Sequence, residues 1–147
     1  MGVRFCIYKI SIFETLTLKP KKIMKIATLI IRILLGAFMV FASVAYFFEL
    51  FEAEAPTGNL LTFMNGIMAS KYLLPLAKAI ELIVGLSLLS GKFMKVTLLA
   101  LLPISINIFL IHTVTQVSEV PVAIFVLGAN LFLIYAHWDS YKGLFKD

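Results

Sequence analysis

Four apolar runs restrict what this chain can become more than any other feature. Each is about 18 to 25 residues, enough for a helix to cross a bilayer core of roughly 30 Å at about 1.5 Å per residue. They are 26–51, broken by Arg32 and Glu49; 72–89, containing Lys78 and Glu81; 96–115, containing Pro103, Asn107 and His112; and 121–138, containing Asn130. Of the 147 residues 61% are hydrophobic and only 14% charged, with a mean hydropathy of +1.01, a composition that excludes an ordinary soluble domain. Lipid-exposed backbone must satisfy its own hydrogen bonds, four strands cannot close a barrel, and the runs lack strict alternation, so helices are expected. The expected fold is an all-α integral membrane four-helix bundle with spans at about 26–50, 72–90, 95–114 and 121–138.

Basic residues set the expected orientation. Arg4, Lys9, Lys19, Lys21, Lys22 and Lys25 precede the first span, Lys92 and Lys95 separate the second and third, and Lys142 and Lys146 follow the fourth. All fall on one side, while the opposite side carries Glu52, Glu54, Glu119 and one cation, Lys71. Lys and Arg flanking a span stay cytoplasmic, so both termini are expected in the cytoplasm of a multi-pass inner-membrane protein. The net charge of +5 is then a consequence of topology, with the lipid bilayer as partner and no nucleic acid implied.

Residues 1–24 read as a basic, dispensable extension ahead of a transmembrane domain at 25–147. A cleaved signal peptide ending near Ser43-Val44-Ala45 is disfavoured, because the apolar run continues through Phe48 and Arg32 interrupts it. Cys6 is the only cysteine, which excludes an internal disulfide, a CxxC pair and a thiolate-rich metal site within one chain. Between the first two spans Leu60, Leu61, Met64, Ile67 and Met68 fall at helical spacing, predicting a short helix at the outer membrane surface or a greasy connector.

Charged and amide side chains inside a span are costly and mark candidate sites. Arg32, Gly36 and Ser43 share a helix face, as do Lys78, Glu81 and Gly85; the third span adds Pro103 and Asn107, the fourth Asn130 and His137. Such stripes normally turn inward, where small residues allow close packing. Counting from the outer end at about 1.5 Å per residue puts Lys78 near 9 Å, Asn107 near 12 Å, Glu81 and Asn130 near 14 Å, and Arg32 near 20 Å. The expectation is an intramembrane polar cluster of Glu81, Asn107, Asn130, Lys78 and Arg32, with His112 at its outer mouth. It would serve a ligand, proton or partner, or only fix helix register. Two-histidine haem ligation fails, because His112 and His137 end at opposite faces, on the order of 25 Å apart.

Arg32-Ile-Leu-Leu-Gly36, Tyr72-Leu-Leu-Pro75, Glu81-Leu-Ile-Val-Gly85, Leu88-Leu-Ser-Gly91 and the run from Leu102 and Pro103 through Asn107 to His112 resemble the DoxX family. These are small four-helix membrane proteins of bacteria and archaea, and the likeness covers Lys25 to the C-terminus. Relatives often carry a Gly-x-Asn-Lys-like sequence late in the first helix, where this chain has Ser43, Val44, Ala45 and Tyr46. The family takes its name from a subunit of a thiosulfate:quinone oxidoreductase. The resemblance implies a non-catalytic subunit or scaffold of a membrane complex, with a quinone as the cofactor class it suggests and other membrane subunits or further copies as partners. The alternatives are an oxidoreductase component in which Glu81 and His112 manage protons for quinone reduction, and an oligomeric small-solute transporter. No nucleophile with a base, phosphate loop, nucleotide fingerprint or metal-ligand spacing is present in the sequence, so the chain is not expected to be an enzyme on its own.

Overall fold

The computed structural model describes residues 2–50, 56–115 and 117–145. Glu52, Glu54 and Lys146, which enter the charge asymmetry, lie outside the described residues, as do the side chains of Arg4, Cys6, Lys9, Lys19 and Lys21. The described chain is all-helical: α1 Gly2–Phe47, α2 Gly58–Ala69, α3 Leu73–Ser90, α4 Met94–Thr115, α5 Val120–Ala136 and α6 Trp138–Tyr141, with short 3-10 turns before α5 and after α6. Three helical segments are long and apolar enough to cross a membrane, Lys22–Phe47, Leu73–Ser90 and Met94–Thr115. At 17 residues, or about 26 Å, α5 is shorter.

The four long helices pack in a ring, α1 on α3, α3 on α4, α4 on α5 and α5 back on α1. Leu35, Met39, Val84, Leu88, Leu98, Leu101, Val126 and Leu133 fill its centre. The outside is equally apolar: Ile83, Val96, Val114 and Ile124 are among many large side chains more than half exposed. A surface so greasy suits lipid rather than water.

The tightest helix contact lies between α1 and α3, which run antiparallel. A Cβ on Gly85 would sit 2.8 Å from Val40 Cγ2, 2.9 Å from Val40 N and 3.0 Å from Gly36 O; one on Gly36 would sit 3.1 Å from Gly85 O. The two glycines bring backbone against backbone, the device by which helices gain dispersion energy where lipid removes the hydrophobic drive.

Short links close the ring. After α3, Gly91 takes the left-handed conformation (φ 71°) and its N–H returns to Ser87 O at 2.9 Å. Ser87 Oγ donates to Lys92 O at 2.6 Å and lies 2.5 Å from Thr97 Oγ1, holding the start of α4 against the end of α3. Between α4 and α5, His112 Nε2 lies 3.1 Å from Glu119 Oε2, while His112 Nδ1 lies 2.7 Å from Ile108 O. Tyr141 on α6 donates to Lys95 O at 2.9 Å and is buried, which ties the C-terminal segment to the base of α4.

Candidate functional site

Lys78 and Glu81 stand one turn apart on α3 because three-residue spacing puts them on one helix face. Lys78 Nζ donates to Glu81 Oε2 at 2.7 Å, and Glu81 is only 5% exposed. The pair lies in an apolar helix with Gly85 one further turn along the same face, so the carboxylate points into the side of α3 that packs on α1. A carboxylate buried there is held by its charge partner, since an isolated ion in so poor a dielectric is costly.

Above the pair, at the end of the bundle opposite Gly91, is an open groove of about 750 Å³ formed by the end of α1, by α2 and by the start of α3. Tyr46, Phe47, Ile67, Met68, Leu74 and Pro75 give it an apolar lining, and Glu49 and Lys71 add opposite charges. Both charged residues adopt positive φ, 49° at Glu49 and 61° at Lys71, because each ends a helix in the left-handed turn more often taken by glycine. At Glu49 that turn is closed by Leu50 N donating to Ala45 O at 3.0 Å. The predicted surface helix is α2, with Leu60, Met64 and Ile67 half-buried and Leu61 and Met68 exposed. Lys78 follows Leu74 by four residues and Pro75 by three, so it lies one turn below the groove lining on the same face of α3.

A second polar centre lies between α4 and α5. Asn130 is fully buried and its carboxamide is 3.1 Å from Ser105 Oγ. We assign the orientation in which Nδ2 donates to Leu98 O at 3.3 Å and Oδ1 accepts from Ser105 Oγ at 3.1 Å and Leu102 N at 3.2 Å, because the reverse sets Oδ1 against a carbonyl. These contacts bracket Pro103, which has no N–H to give the Leu99 carbonyl. Asn130 therefore braces α4 where its own hydrogen-bond ladder is broken.

The five residues expected in one cluster are thus distributed differently. Lys78 and Glu81 are together; Asn130 is buried with Ser105 and forms no hydrogen bond with Glu81. Asn107 is a correction: it faces outward, because α4 buries the stripe Thr97, Leu98, Leu101 and Ser105, two residues out of phase with Pro103 and Asn107. Arg32 is another. Its guanidinium lies against Gly91, where a Cβ would come 2.6 Å from Nη1, at the opposite end of α3 from the groove and about 15 Å along the helix from Glu81. There it complements the negative end of the α3 dipole, and its Nε is buried without a hydrogen-bond partner. His112 is engaged by Glu119 and the Ile108 carbonyl.

Ser105 and Thr97 are buried polar residues that the sequence pattern did not single out, whereas Ser43, on the face of α1 expected to turn inward, is buried there. Thr97, Leu101 and Ser105 recur every four residues, a signal as regular as Pro103 to Asn107. Among the described residues no three His, Cys, Asp or Glu side chains gather as a metal-ligand set.

Fold and site together define a helical bundle of membrane-span dimensions with a buried ion pair beneath a groove at one end. No described protein family, curated protein or solved structure matches the chain.

Proposed function

We propose that the chain is a four-span, DoxX-like protein of the inner membrane, both termini cytoplasmic, and a non-catalytic subunit or scaffold of a membrane complex. Its groove holds a lipophilic molecule with a polar head, of the quinone class. The observation that carries this reading is the Lys78–Glu81 pair one turn beneath an apolar groove of about 750 Å³. Lys78 has three N–H donors and gives one to Glu81, which leaves two for a carbonyl acceptor; Glu81 holds the ammonium in place. Largely apolar walls, with Lys71 at the groove and the Lys78 ammonium one turn below it, suit an aromatic ring bearing carbonyls better than a small ion or a sugar. Electron transfer would need a redox partner, because no side chain here carries electrons.

Extraction in mild detergent, followed by mass spectrometry of the bound lipids and an absorption spectrum, tests it. A quinone retained by wild type and lost from Lys78→Met supports the reading. Wild-type protein that retains no lipophile beyond bulk phospholipid overturns it.

A further inference from the structure

Asn107 is the exception among the described Ser, Thr and Asn side chains of the four long helices. On α1, α3, α4 and α5 every other described Ser, Thr and Asn side chain has a hydrogen-bond partner, most of them a carbonyl one turn back. Among the described residues Asn107 has none; it is exposed and lies about 20 Å from the start of α4 and 12 Å from its end. A carboxamide facing hydrocarbon at that depth has nothing in lipid to bond.

Its neighbours on the exposed face are ordered. Val96, Ala100, Pro103, Asn107, Leu110 and Val114 are all exposed and recur at intervals of four, three, four, three and four. That is the heptad spacing of a two-helix seam, with Ala100, Asn107 and Val114 at one core position and Val96, Pro103 and Leu110 at the other. Leu110 at the second position followed by Val114 at the first is the pairing found in two parallel strands, and Asn107, the lone asparagine at the first position, sets register and number.

We propose that this face of α4 pairs with α4 of a second copy of the chain, with Asn107 bonded to Asn107 of that copy across a two-fold axis normal to the membrane. A second copy is the occupant the chemistry selects. The carboxamide is its own complement, with one acceptor and two donors, and such an axis sets equal residues opposite each other while keeping both copies in the same orientation. The seam is independent of the groove, so its failure leaves the proposed ligand site untouched.

Disulfide trapping and subunit counting test it with the full chain in phospholipid nanodiscs and liposomes. In a Cys6→Ser background, Asn107→Cys and Leu110→Cys are expected to give cross-linked dimers under mild oxidation, while Ile83→Cys, on the exposed face of α3, does not. Asn107→Leu keeps the seam apolar and is expected to weaken the dimer roughly tenfold, read by single-molecule photobleaching across protein-to-lipid ratios. The proposal is overturned by a wild-type chain that stays monomeric at every ratio, by cross-linking at Ile83 equal to that at Asn107 and Leu110, or by Asn107→Leu dimerising as tightly as wild type. A monomer that instead recruits a different membrane subunit through α4 overturns it as well.

Discussion

Replacing Lys78 with methionine keeps most of the side-chain volume and removes only the charge that Glu81 needs. At 2.7 Å, the gross attraction in an effective dielectric near 20 is about 6 kcal/mol. Desolvating both ions consumes most of that, so the net worth of the pair is small; removing one partner is the larger effect, about 3 kcal/mol, because Glu81 stays buried without compensation. Glu81→Gln is expected to cost about 1 kcal/mol, since the Lys78 side chain is 23% exposed and its ammonium can reach outward to the interface. The double variant, with no buried charge, should be more stable than Lys78→Met alone. Reversible unfolding in mixed micelles, followed by helicity as the SDS fraction rises, measures all three. Lys78→Met within about 0.5 kcal/mol of wild type, or a double variant no better than Lys78→Met, would refute the reasoning.

Gly85→Ala drives a Cβ to within 3.0 Å of Gly36 O and of the Val40 backbone, so α1 must move away at a cost of about 1–3 kcal/mol. Gly128→Ala meets nothing within 4 Å and should not lower the same unfolding midpoint, since alanine favours the helix more than glycine does. Asn130→Leu removes the brace across Pro103 and is expected to cost about 1 kcal/mol in that assay, less than Lys78→Met. Burial raises the Tyr141 phenol above its ordinary 10.0. The folded chain then holds a proton that the unfolded chain has released, so the stability this group contributes is complete below pH 10 and fades as pH climbs through the raised value. Tyrosinate absorbance in Tyr141→Phe should lose a titration step that wild type shows above pH 10.

The helix boundaries were legible because hydropathy sets them: expected spans at 72–90 and 95–114 compare with α3 at Leu73–Ser90 and α4 at Met94–Thr115. The inward faces of α1 and α3 were legible too, since Gly36 and Gly85 share a face with the polar residues and only glycines permit that approach. The inward face of α4 was not. Its apolar residues go all the way round, because core and lipid ask for the same side chains, and two polar stripes compete at equal spacing. Ser105 won over Asn107 because Asn130 needed a partner beside Pro103. Arg32 was grouped with Glu81 although depth counting already set it about 6 Å deeper; its guanidinium packs against Gly91, at the far end of α3.

The central claim is that the groove above Lys78 holds a lipophilic molecule, and photo-cross-linking tests it most directly. A quinone analogue carrying a diazirine, irradiated with wild-type protein in nanodiscs, is predicted to label residues 45–49 and 67–75 and to be displaced by unlabelled quinone, with labelling lost in Lys78→Met. Labelling spread over the outward residues of all the long helices, insensitive to competitor and to Lys78→Met, would contradict it.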